Sequence, residues 1–139
     1  MTFRTSALAL AVMCATTPAG ASDVLGSYYA AFGPQDYWNS SGKPLTDFVA
    51  VLQQDRANFH RFNNRDRYDD DDPFFSNREM RAAIPALFAA GGNDGWAGPV
   101  SPPAWDILDA DVIVFICGAG GRVTHLIVDN ANGDGYSGC

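Results

Sequence analysis

With 139 residues and a formal net charge of −7, the chain has room for one modest core and not for several domains. An acidic chain disfavours nucleic acid and anionic lipid, whose charge it repels, and suits cations or basic partners. No apolar run is long enough to span a bilayer.

Residues 1–21 read as a signal peptide. Arg4 supplies the positive n-region, residues 7–15 the apolar h-region, and Ala19-Gly20-Ala21 a small-x-small cleavage site. Met13 is too large for the small residue that lipoprotein processing wants before Cys14. Residues 22–139 are then a single globular domain, exported to the periplasm or the medium. Two cysteines remain in it, Cys117 and Cys139. An even count in an exported chain predicts a disulfide between them.

In chain order, residues 28–32 read as a strand, with the end of a short helix as the alternative. Gly33-Pro34 breaks it, and a polar loop with Tyr37 and Trp38 comes next. Asn39-Ser40-Ser41 fits a glycosylation sequon, but a turn is the expected role. Thr46 is an N-cap for a helix over 47–62, with Asp47 in the first turn. Ser76-x-x-Glu79 is a capping box that opens a second helix, with Met80, Ile84, Leu87 and Phe88 on its apolar face. Pro85 lacks a backbone donor and is expected to kink or divide that helix. Gly91-Gly92 ends it. Ser101-Pro102 predicts a short helix over 102–108 carrying Trp105. Residues 112–117 are continuously apolar, as in a strand covered on both faces, and residues 123–128 return after a glycine-rich turn. A hairpin alone is marginal, so residues 28–32 are the expected third strand, with 112–117 in the centre. The fold class is α+β: two main helices packed on a short antiparallel sheet, made of the C-terminal hairpin plus a possible N-terminal strand.

Residues 52–75 are the most unusual stretch. They hold Arg56, Arg61, Arg65 and Arg67 among Asp55, Asp66, Asp69, Asp70, Asp71 and Asp72, interrupted by Phe59, Phe62, Phe74 and Phe75. Disordered acidic runs are poor in aromatics, so this one is expected to be ordered on the core. At about 100° per residue, Phe48, Val51, Leu52, Phe59 and Phe62 share one helix face; Asp55 falls within it, Arg56 at its edge, and His60 off it. A carboxylate there needs a cation. The expected charge network joins Asp55, Arg56, Arg61, Arg78 and Arg81, with Arg78 or Arg81 as the partner of Asp55.

The run Asn39-Ser40-x-Gly42-x-x-Leu45, then Gln54-Asp55-Arg56-Ala57-Asn58-x-His60-Arg61-Phe62, then Asp66-x-x-Asp69-x-x-Asp72-x-Phe74-Phe75 and Arg78 resembles a family of small secreted bacterial proteins of unknown function. The resemblance covers about residues 33–78 and implies export and a compact domain, with no activity to carry over. Asn63 stands where that pattern leads one to expect glycine.

Three functional readings are open. The leading one is a non-catalytic exported domain that binds a basic protein or an envelope component. The second is a small hydrolase using Asp55, His60 and Asp66 for general acid–base work. The third is a calcium-stabilised domain. Its ligands would be Asp69, Asp70 and Asp72, or the tail Asn130, Asn132 and Asp134, which matches the early positions of a calcium loop but lacks the closing bidentate acid. Ordinary turns use the same tail residues, and Arg61, Arg65, Arg67 and Arg78 can neutralise the acidic loop instead. His60 and His125 are the only histidines, which leaves zinc without a helical pair. No cofactor is expected, and no nucleotide or serine-hydrolase fingerprint appears.

Overall fold

A computed structural model of the chain describes residues 21–96, 112–131 and 138–139. Residues 1–20 of the proposed signal peptide, the short helix over 102–108, Asn132 and Asp134 lie outside the described residues.

The apolar alternation of the strands and the helical spacing of 48–90 give an α+β fold. Strand β1 (Asp23–Ala30) leads into a 3-10 turn (Pro34–Tyr37), helix α1 (Phe48–Ala57) and a π turn (Asn58–Phe62). Helix α2 (Arg78–Ala90) comes next, then strands β2 (Val112–Ala119) and β3 (Arg122–Asn130). The three strands form an antiparallel sheet in the order β1-β2-β3. The most apolar strand is central, as its sequence predicts.

Strand alternation sends Tyr28, Ala30, Val112, Val114, Ile116, Leu126 and Val128 to one face, where they meet Phe48, Val51, Leu52, Ile84 and Phe88 of the helices. Phe115 and Cys117 are buried on the other face. Cys117 is at disulfide distance from Cys139, with Cα atoms 5.4 Å apart. No helix among the described residues is long and apolar enough to cross a membrane.

Both caps shift by one residue from expectation. Asp47, not Thr46, accepts from the Ala50 N–H at 2.8 Å. Asn77, not Ser76, accepts from Glu79 and Met80. Asp and Asn are the stronger N-caps.

Of the two expected outcomes at Pro85, a kink or a division, helix α2 is not divided and runs on through the proline. A proline at this position leaves the carbonyl four residues earlier, that of Arg81, without its helical donor. Gln53 Nε2 of α1 donates to that carbonyl at 2.8 Å. The proline's defect thus becomes a joint between the two helices.

Both edges of the sheet are closed. Along β1, Asp70 N–H donates to Tyr29 O at 3.0 Å, and Ala31 N–H donates to Asp69 Oδ1 at 2.9 Å. Along β3, buried Asn93 donates to Leu126 O and accepts from Val128 N–H, while also donating to Phe88 O near the end of α2. One amide side chain stands in for a fourth strand.

Candidate functional site

Helix α1 does bury Asp55 in its core face, and the side chain is 1% exposed. Its partner is not Arg78 or Arg81 but its own neighbour. Arg56 Nε donates to Asp55 Oδ2 at 2.7 Å. Consecutive helical side chains do not normally face each other, which is why spacing pointed elsewhere. Arg56 is itself fully buried, its guanidinium 4.2 Å from the Tyr28 ring centroid and 4.6 Å from that of Phe59. Held between the rings, it reaches Asp55 at one end and the acidic loop at the other. Arg56 Nη1 donates to Asp70 O at 2.9 Å and to Asp72 Oδ2 at 3.3 Å, and Nη2 lies 3.7 Å from Asp69.

The π turn holds one residue more than an α turn, and so rotates the chain beyond it. Phe62, expected in the core, is 46% exposed. His60, expected off the core face, turns inward, its side chain 7% exposed and Nε2 2.7 Å from Asp72 Oδ2. Asn63 closes the turn in the left-handed region with φ 52°, a conformation asparagine tolerates where other side chains strain.

The loop aspartates divide by spacing. Asp66, Asp69 and Asp72, three apart, turn inward. Asp72 Oδ1 accepts from Phe74 and Phe75 N–H. Asp69 accepts from Ala31 and Asp66 N–H. Asp66 accepts from Gly33 N–H at 3.0 Å and Gln35 Nε2 at 2.5 Å. A side chain on Gly33 would collide with the Asp66 carboxylate and Gln35. Asp70 and Asp71 are exposed. Buried Asp36, which the sequence does not single out, completes the group. It accepts from Gly33 N–H at 2.8 Å and from Asn58 Nδ2 at 2.7 Å.

One buried guanidinium therefore faces several carboxylates. Burial pushes Asp36 up to about 8, helped by the charge of Asp55. Burial pushes Asp55 up to about 7, with Arg56 opposing. Asp69 is raised by burial as well. Desolvation disfavours the charged carboxylate more than a single shared cation can offset. Asp55 Oδ1 and Arg56 Nη2 make no hydrogen bond.

Among the described residues, no group of three or more His, Cys, Asp or Glu side chains is arranged to hold a metal ion. Asp70 faces solvent while Asp69 and Asp72 face Arg56, so the three do not converge; Asn130 sits at the end of β3 opposite Val112. Arg61, Arg78 and Arg81 belong elsewhere. They line a groove of about 300 Å³ between α1 and α2, with Asn39, Gln53 and Gln54. Arg81 Nη1 donates to Phe75 O and Ser76 O, and Arg61 stacks on Phe62. His125, on β3, contacts Thr124 and shares nothing with His60.

No family model, curated protein or solved structure matches this chain. The geometry of these groups is therefore what bears on function.

Proposed function

We propose that this chain is an exported, non-catalytic domain that binds an envelope component or a partner protein through the groove between α1 and α2. What carries the reading is the commitment of Asp55, His60 and Asp66 to partners inside the fold. Asp55 is buried against the guanidinium, Asp72 uses both oxygens inside the fold, and His60 Nε2 is held by Asp72. Asp66 is held by Gly33 and Gln35. An acid–base catalyst needs a group within reach of substrate, and among the described residues neither Asp55 nor His60 lines the α1–α2 groove. The cysteine pair and the pattern of residues 1–21 support export.

Among the described residues, the acidic excess that favours a basic partner is weaker at the surface than in the composition. Exposed Asp23, Asp47, Asp70, Asp71, Glu79 and Asp94 are matched by exposed Lys43, Arg61, Arg65, Arg67, Arg78 and Arg122. The groove itself is basic, so its ligand is acidic.

The test is capture from envelope extract on immobilised mature protein, comparing the parent with Ala82→Trp and His60→Gln. Ala82 lines the groove from an exposed helix position, so tryptophan fills the groove without entering the core. Species retained by the parent and by His60→Gln but lost with Ala82→Trp are expected. Equal retention by Ala82→Trp, or hydrolysis of ester, peptide or glycoside substrates that His60→Gln abolishes, overturns the reading.

A further inference from the structure

The geometry points to the α1–α2 groove as a binding site for a small oxyanion, a phosphate or carboxylate group carried by a polar molecule. This deepens the binding-domain reading and rests on it. Arg61, Arg78 and Arg81 approach the groove from the π turn and from the first turn of α2. Among the described residues that line it, none is acidic. Among the described residues every salt bridge involves Arg56 or His60, so none of the three arginines has a carboxylate partner. In a chain with sixteen acids and nine bases, pairing would have been easy to supply. Like charges drawn together around a groove repel one another, and an anion between them removes that cost.

The placement of each arginine also favours an anion. Arg78 is the first residue of α2, where the helix dipole disfavours a cation and favours an anion. Arg81 is held in place by its two backbone acceptors through Nη1, which leaves its Nη2 and Nε edge for a ligand. Arg61 is braced by the Phe62 ring at 4.9 Å. Braced guanidinium forks suit carboxylate and phosphate, which they bind through paired N–H donors. Gln53, bonded to Arg81 O, ties one wall of the groove to the other. A volume of about 300 Å³ is at the small end for ligand sites and fits a small molecule or one acidic group of a larger one.

The experiment is calorimetric titration of the mature protein at low salt with two probes, inorganic phosphate and citrate, alongside melting curves. The parent is expected to bind at least one probe saturably at millimolar concentration or below, with a raised melting temperature. Arg61→Ala with Arg78→Ala should weaken binding about tenfold or more, and Arg78→Lys less, since lysine keeps charge but not the fork. Arg122→Ala, in the distant hairpin turn, should leave binding unchanged. Saturable phosphate binding without citrate binding assigns phosphate, and the reverse assigns carboxylate. Absence of saturable binding by both probes, or equal loss with Arg122→Ala, overturns the oxyanion site. Should that happen while Ala82→Trp still releases a captured partner, the binding-domain reading stands without it.

Discussion

At the scale of single residues, Arg56 and Asp55 decide most. Removing one member of a buried pair leaves the other charge uncompensated, so Asp55→Ala should destabilise by roughly 3–5 kcal/mol. Asp69 and Asp72, also near the guanidinium, put the expectation at the lower end. Asp55→Asn should cost less, because the amide keeps one acceptor oxygen for Arg56 Nε. Urea unfolding midpoints check the order; a midpoint for Asp55→Ala equal to the parent's would falsify the structural role. The raised carboxyls also fix a pH dependence. Asp36 and Asp55 have folded values of about 8 and about 7 against an ordinary 3.8, so the folded state holds more protons than the unfolded one between those values. Their contribution to stability is complete below pH 4 and is lost as pH rises through 7 and 8. Melting temperature should fall as pH rises from about 4 to about 8 and level off above, and Asp36→Asn should flatten the fall. The burial of Asp55 was legible from helical angle alone. Its partner was not, because angle says nothing of a long side chain folding back between two rings, and the inward turn of His60 was hidden by the π turn.

At the scale of elements, the sequence announced the strands and helices and concealed how they are joined. The continuous apolar run of β2 identifies a central strand, since only a strand covered on both faces tolerates it. Nothing in the pattern shows that Asn93 closes the β3 edge, because a lone asparagine in a glycine-rich loop reads as a turn residue. Asn93→Ala should strand Leu126 O and Val128 N–H, while Phe88 O keeps the Gly91 N–H, and destabilise by about 2 kcal/mol. Asn93→Asp, which turns a buried carboxylate oxygen on two carbonyl oxygens, should cost at least as much. The joint at Pro85 allows a sharper test. Gln53→Ala should cost about 1 kcal/mol in the parent, as for one hydrogen bond. In a Pro85→Ala background, residue 85 donates to Arg81 O itself, and Gln53→Ala should cost almost nothing. A double-mutant cycle in thermal unfolding reads the coupling directly; no coupling means that Gln53 does not compensate for the proline.

At the scale of the whole molecule, the two tightest constraints bring distant parts of the chain together: the cysteine pair between β2 and the C-terminus, and the acidic loop along β1. Thiol titration of the oxidised mature protein should find no free cysteine, and reduction should cost about 3 kcal/mol, as for a loop of this size. The inward aspartates carry a mark in the sequence, since a period of three separates Asp66, Asp69 and Asp72 from exposed Asp70 and Asp71. The direction they face carries none, because it depends on a buried arginine contributed by α1.

The strand order has a consequence in time. Ala30 pairs with Val112 and Asp23 with Gly118, so β1 has no partner until the last strands have been synthesised. The edge that the acidic loop closes does not exist before then, and the helices have no sheet to cover. Pairing strands so far apart closes a long loop before contacts reward it, which slows folding, and a growing chain is expected to reach β3 without its native fold. That is the form in which a polypeptide can be threaded through a narrow channel. Force-sensing arrest sequences placed along the transcript should register no folding pull until β3 has cleared the ribosome, and an earlier pull would mean that α1 and α2 collapse without the sheet.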